Sequence, residues 1–185
     1  MNPVIETILK RRSVRVYSDG QIKPEDMELI LESGYSAPSG CNMQPWHFTV
    51  VQDKSLMNTL SVESKKEFAD SENEMFRKMA ANEKYDIFYN APTIIIVSGE
   101  NTSPTAIIDC SAATQNMILA AESLGIGTCW IGLVDFLFRS ERFNEYSKML
   151  KIPDGYKPYY AITLGYKRVP DPKAPAKREG VVDFV

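Results

Sequence analysis

The chain has a single histidine, His47, and only three cysteines, Cys41, Cys110 and Cys129, spread over 185 residues. No two cysteines stand as C-x-x-C, so neither a His/Cys metal site nor a disulfide scaffold is expected. Long apolar runs are missing as well; none approaches the ~20 residues of a membrane-spanning helix. Positive charge is in deficit, with 21 Lys and Arg against 24 Asp and Glu and a net charge of −3. That offers no dense basic face to nucleic acid. The first residues do not follow the pattern of a signal peptide. We therefore expect a cytoplasmic protein with reduced thiols, no metal, no nucleic-acid partner and no membrane partner. At 44% hydrophobic and 24% charged residues, what remains is the composition of one globular domain with its own core.

The periodicity predicts alternating helices and strands. Asn2 and Pro3 read as an N-cap and a first helical residue, followed by an apolar face of Val4, Ile5, Ile8 and Leu9. A second helix starts at Lys23-Pro24, turns Met27, Ile30 and Leu31 inward and is expected to stop at Gly34. Phe48–Val51 reads as a strand. Residues 54–88 read as helical, with Leu56, Leu60, Phe68, Met75, Phe76 and Met79 inward. Thr93–Val97 reads as a central strand covered on both faces. Thr105–Leu124 predicts a helix buried on more than one side and ended by Gly125. Further strands are expected at 127–131 and 159–164, with a helix between them marked by Phe143, Tyr146, Met149 and Leu150. The expected fold is α+β, with helices covering a small, mainly antiparallel sheet in three layers. Residues 1–165 form the domain. Residues 166–185 read as an extended, proline-rich tail with an apolar end that packs on another subunit.

Two stretches carry chemistry. Arg11-Arg12-Ser13-Val14-Arg15 gathers guanidiniums and a hydroxyl, suited to clamping a phosphate because arginine offers planar, bidentate donors. The competing reading is a solvated basic helix end that complements the helix dipole. The loop SAPSGCNMQPW, residues 36–46, supplies Ser39, Asn42 and Gln44, whose amides carry donors and acceptors suited to a heterocycle such as a flavin edge. It also reads as a structural turn anchored by Trp46. Gly125-Ile126-Gly127 lacks the spacing of a nucleotide fingerprint and follows a helix, so it reads as a helix stop. Cys41 and His47 could form a thiol nucleophile, but no orienting acid is placed by the sequence. Cys110 and Cys129 read as core. Lys167-Arg168 and Lys177-Arg178 read as surface charge unless the tail folds back onto a phosphate.

Together, ArgArgSerValArg, AlaProSerGlyCysAsnMetGlnProTrpHisPhe, AlaAlaGluSerLeuGlyIleGlyThrCysTrpIleGly and the basic, proline-rich tail resemble the FMN-dependent nitroreductase family. The resemblance implies a homodimer with two FMN sites at the interface, each built from both chains. It implies that Arg11, Arg12 and Ser13 hold the phosphate and ribityl chain and that Arg15 approaches the pyrimidine side. Pro38, Ser39, Gly40 and Asn42 would come from the partner chain, with Gln44 nearby. Trp130, Ile131 and Gly132 would lie along the ring. Lys177 or Arg178 would reach the phosphate, with Lys173 in competition. The implied reaction is ping-pong hydride transfer from NADH or NADPH through the flavin to a nitroaromatic, quinone or similar small acceptor. The cofactor carries the chemistry, so no side chain is named as catalytic.

The sequence departs from larger members of that family between the second strand and the long helix. Only Gly99–Pro104 stands where those members carry a helical excursion, which leaves residues 65–90 as a candidate site wall. Two alternatives remain at this level: a flavin-binding protein that stores or senses FMN without turnover, and a thiol hydrolase using Cys41 and His47.

Overall fold

The computed structural model describes residues 1–185. Helix α1 (Pro3–Lys10) is capped as expected, with the Asn2 side chain accepting the Val4 N–H at 2.9 Å. Its apolar face is exposed, and no residue of the helix is buried. Helix α2 (Pro24–Tyr35) buries Met27 and Ile30. Gly34 does not end it: this glycine lies buried inside α2, and Ser36 is the cap. A Cβ at Gly34 would stand 2.9 Å from Met117 Cγ and 3.3 Å from the Phe48 ring. The glycine therefore serves a close approach between elements rather than a stop.

Next come β1 (Trp46–Val51), α3 (Lys54–Glu67) and α4 (Glu74–Ala81). The helical run expected over 54–88 is thus two shorter helices followed by turns. Asp53 and Asn73 each accept backbone N–H bonds at a helix start, and Asp86 accepts the Phe88 and Asn90 N–H groups, which favours a turn over a helix. Met75, expected inward, is exposed, whereas Leu60 and Phe68 are fully buried. The chain continues with β2 (Thr93–Glu100), α5 (Ala106–Ser123), β3 (Ile126–Ile131), α6 (Asp135–Phe138), α7 (Phe143–Met149) and β4 (Tyr156–Tyr166). The one-turn helix α6 has no counterpart in the sequence reading. The helix marked by Phe143, Tyr146, Met149 and Leu150 is present as α7, with Leu150 as its cap; Tyr146 and Leu150 are buried and Met149 is exposed. No helix is long and apolar enough to cross a membrane.

The four strands form one antiparallel sheet in the order β1-β2-β4-β3. Strand β2 sits inside it, and its alternate side chains feed two cores. Ile94 and Ile96 join Leu60, Phe68, Leu137 and Tyr146 on one face; Ile95 and Val97 join Ile30, Met117 and Ala121 on the other. This alternation is why the run reads as continuously apolar. Helices α2 and α5 cover one face; α3, α6 and α7 cover the other. The result is the expected three-layer α+β arrangement.

Strand β3 lies at the end of the sheet, and its outer edge is covered by an irregular strap. The Val14 N–H donates to the Thr128 carbonyl at 2.8 Å, with Ser13 bridged to Thr128 in parallel. Beyond, Ser18 N–H donates to the Tyr166 carbonyl at 2.9 Å and Arg168 N–H to the Val16 carbonyl at 3.2 Å. The buried Tyr17 hydroxyl bonds both the Val14 carbonyl and Thr163 Oγ1 at 2.6 Å. The two glycines of Gly125-Ile126-Gly127 divide the work. Gly125, at φ +76°, ends α5, while a Cβ on Gly127 would come within 2.8–2.9 Å of three Val14 side-chain atoms.

Gly127→Ala is therefore expected to push the β-branched Val14 off the sheet edge and to destabilise the fold by about 1–3 kcal/mol. Urea denaturation measures this, and an unchanged midpoint would show that the strap tolerates the added methyl.

Candidate functional site

The strap positions the arginine motif. Arg11 caps α1, and its backbone N–H bonds the Thr7 carbonyl at 3.0 Å. Arg12 Nη1 donates to the carbonyls of Leu9 and Arg11 at 2.8 and 2.6 Å, so the helix-capping reading of this motif is partly correct. Arg15 lies past Val14, its guanidinium carbon 5.6 Å from the centroid of the Tyr89 ring. Burial works against its charge, but contact with the Tyr89 hydroxyl and the nearby Cys129 and Tyr17 outweighs burial and raises its pKa above the ordinary value. None of Arg11, Arg12 and Arg15 pairs with a carboxylate, although Arg139 and Arg142 elsewhere do.

An open groove of about 450 Å³ joins this motif to the tail. Arg11, Arg12, Ser13 and Arg15 line one side, and the segment Pro172–Lys177 lines the other. Both Lys173 and Lys177 are in the wall, and Arg178 is not. The pairing of motif and tail is thus made within one chain. Along β3, Trp130 is 38% exposed and packs on Tyr160 with ring centroids 4.3 Å apart. Gly132 is exposed, and Ile131 turns its side chain into the core.

The polar loop is ordered by its own bonds and by α5. Cys41, Asn42 and Gln44 all have left-handed backbone, with φ of 50°, 56° and 47°, a conformation that needs support from the surroundings. Ser39 Oγ accepts the Gln44 N–H at 3.0 Å, and Gln44 Nε2 donates to Asn42 Oδ1 at 3.0 Å. Asp109, buried on α5, accepts the Gly40 N–H at 3.1 Å and the Thr105 hydroxyl at 2.8 Å. The sequence reading missed Asp109; an acidic residue in the first turn of a mostly apolar helix was its only signal. Trp46 anchors the far end in the core. Pro38, Asn42 and Gln44 are exposed, and no hydrogen bond or ion pair links the loop to the arginine motif within the chain.

The proposed thiol pair is not assembled. Cys41 is exposed on the loop. His47 lies in β1 beside Tyr156, burial lowers its pKa, and its Nδ1 has no partner. No carboxylate orients it. Burial pushes the Cys110 thiol up to about 12 and raises that of Cys129.

The model of the Nitroreductase family matches residues 8–166. This chain belongs to the nitroreductase family. Among solved structures it is similar to a nitroreductase with bound FMN from Bacteroides fragilis, at 38% identity and a TM-score of 0.92, with 100% of both chains covered. A second FMN-bound nitroreductase, from Desulfitobacterium hafniense, is 30% identical with a TM-score of 0.90, covering 100% of this chain and 99% of that one. A relative from Archaeoglobus fulgidus, whose name couples NADH dehydrogenase with NAD(P)H nitroreductase, is 36% identical over 172 residues, 91% of this chain and 87% of its own length. In this nitroreductase family member the arginine motif is held by β3 and the polar loop by α5, each on its own scaffold.

Asp109→Ala should strand the Gly40 N–H and the Thr105 hydroxyl and destabilise the chain by about 1–3 kcal/mol. Thermal melting would register this as a lowered Tm, and an unchanged Tm would mean that the loop does not lean on Asp109.

Proposed function

We propose that this nitroreductase family member is an FMN-dependent oxidoreductase that takes hydride from NADH or NADPH and passes it to a nitroaromatic, quinone or similar small acceptor. The observation that carries the reading is the groove in which Arg11, Arg12, Ser13 and Arg15 face Lys173 and Lys177 with no carboxylate among its lining residues. Such a donor set fits a phosphate monoester on a flexible polyol, and the FMN in the related solved structures supplies that chemistry.

When bound, FMN provides two-electron hydride chemistry at N5, in two half-reactions that share one binding place. The residues of the chain bind and orient. Arg11, Arg12 and Ser13 grip the phosphate end, and Lys177 or Lys173 closes over it. Arg15, held by the Tyr89 ring, would bring fixed positive charge to the pyrimidine side of the flavin. Trp130 and Gly132 offer a flat, exposed edge to the ring. Asn42 and Gln44 supply donors and acceptors that make no bond to their own arginine motif, which suits a loop serving the site of a second subunit.

A homodimer therefore belongs to the proposal. Val4, Ile5, Ile8 and Leu9 on α1 are exposed, as are Ile107 and Ile108 beside the loop and Val181, Val182, Phe184 and Val185 at the chain end. Apolar patches of this kind need cover. The expectation that all of residues 166–185 pack on the partner is narrowed by the tail's contacts with its own chain: Lys167 and Arg168 bond Glu122 and the Val16 carbonyl, and residues 172–177 line the groove, which leaves the apolar end, residues 178–185, for the partner. Deleting them should give monomers or insoluble protein in sedimentation analysis; a stable dimer with normal flavin content would exclude that role.

The central experiment is anaerobic titration of the purified yellow protein with NADH and with NADPH. Bleaching of the flavin band by at least one of them, reversed by a nitroaromatic or quinone, is the expected outcome. A protein that takes up FMN but is never bleached is a binding protein, and a colourless protein that gains no flavin spectrum has no such site.

A further inference from the structure

The groove depends on where the tail leaves the fold, and one side chain sets that departure. Lys167 follows β4, and its Nζ lies 3.0 and 2.9 Å from the two carboxylate oxygens of Glu122, near the end of α5, and 2.8 Å from Asp171 Oδ2, in the tail. The contact is not loose surface charge, which corrects the sequence reading. Lys167 and Glu122 side chains are only 18% and 10% exposed. Burial works against the ammonium, but its bonds to Asp171 and Glu122 outweigh burial and raise its pKa above the ordinary value. The main chain clamps the same point, with Tyr17 bridged to Lys167 and Arg168 N–H on the Val16 carbonyl.

Directly after Asp171 the chain enters the groove wall, Pro172–Lys177. Asp171 and Pro172 also line a cavity against Glu6, Lys10 and Arg12 of the α1 region. The double ion pair thus turns the tail back over α1 and delivers Lys173 and Lys177 to Arg11, Arg12 and Ser13. We propose that Lys167 is a positioning residue for phosphate recognition: it latches the tail to α5 through Glu122 and Asp171 and so aims the tail lysines at the phosphate end of a flavin. The inference rests on the FMN reading above.

Removing the ammonium leaves Glu122 and Asp171 facing each other as like charges, one of them nearly buried. The tail beyond the main-chain clamp at Arg168 then swings away, and the groove loses its lysine wall while the arginine motif stays pinned to β3. The loss falls on the phosphate and spares the ring.

The test compares FMN with riboflavin, which has the same ring system but no phosphate, by fluorescence titration of flavin-free protein. Wild type should prefer FMN. Lys167→Met should weaken FMN binding about tenfold, the size of one lost charge-assisted contact, and leave riboflavin within about twofold. Asp171→Asn, which alters only the exposed tail side, should show the same selective loss even if Lys167→Met folds poorly. Lys167→Arg should restore FMN binding. FMN affinity unchanged in both Lys167→Met and Asp171→Asn overturns the latch while the FMN site stands. Equal losses for FMN and riboflavin reduce Lys167 to a structural residue and also overturn it. A wild type that binds neither flavin, or does not prefer FMN, overturns the FMN reading itself.

Discussion

The hydrogen bond from the Val14 N–H to the Thr128 carbonyl is the contact on which the arrangement of this molecule turns. It does two jobs at once. An end strand of a sheet presents unpaired backbone groups that invite another chain, and the strap over β3 occupies part of that edge. The same bond sets the height at which the arginines stand. Val14 is buried beneath the motif with Tyr17 and Ala91, so Arg11, Arg12 and Ser13 project before the anchor and Arg15 after it. The anchor is possible because position 127 has no Cβ to collide with Val14. A packing constraint on one glycine therefore decides where positive charge can gather.

The other half of the chemistry obeys a separate constraint. Left-handed backbone at Cys41, Asn42 and Gln44 is unfavourable for residues with a side chain. It is braced on both sides, by Asp109 taking the Gly40 N–H and Ser39 taking that of Gln44. The loop is rigid through backbone bonds rather than through its prolines alone. Its exposed amides stay free of the arginine motif, while Gln44 spends one donor on Asn42. Two rigid donor sets on separate scaffolds, next to exposed apolar side chains, are what the proposed homodimer would bring together.

Much of this was legible in the sequence where local chemistry decides the outcome. The Asn2 cap, the Gly125 stop, the doubly covered β2 and the many-sided burial of α5 follow from side-chain type and period alone. The misreadings arise where a distant element decides. Gly34 reads as a stop because glycine usually stops helices, yet Met117 and Phe48 need that space. Met75 fits a helical face, but the helix restarts at Asn73, and Phe76 and Met79 meet the core while Met75 stays exposed. Lys167 resembles surface charge until Glu122, 45 residues away, is brought beside it. Asp109 carries no motif at all, since its worth lies in a loop separated from α5 by four elements, β1, α3, α4 and β2. In the candidate site, the arginine motif and the loop stand out by composition, whereas their supports do not.

The unpaired arginines also bear on why the site costs the fold so little. An exposed ion pair contributes only about 0–1 kcal/mol, so withholding carboxylates from Arg11, Arg12 and Arg15 sacrifices almost no stability. In a chain of net charge −3, it does concentrate positive potential in one groove, and a cleft focuses that field toward an anion. The reverse holds at Lys167, where partial burial makes pairing obligatory and the pair correspondingly specific. The cations of the open groove carry no carboxylate partner, whereas the ammonium at the tail root is committed to two. Water reaches the first group through the open groove, and protein carboxylates neutralise the second.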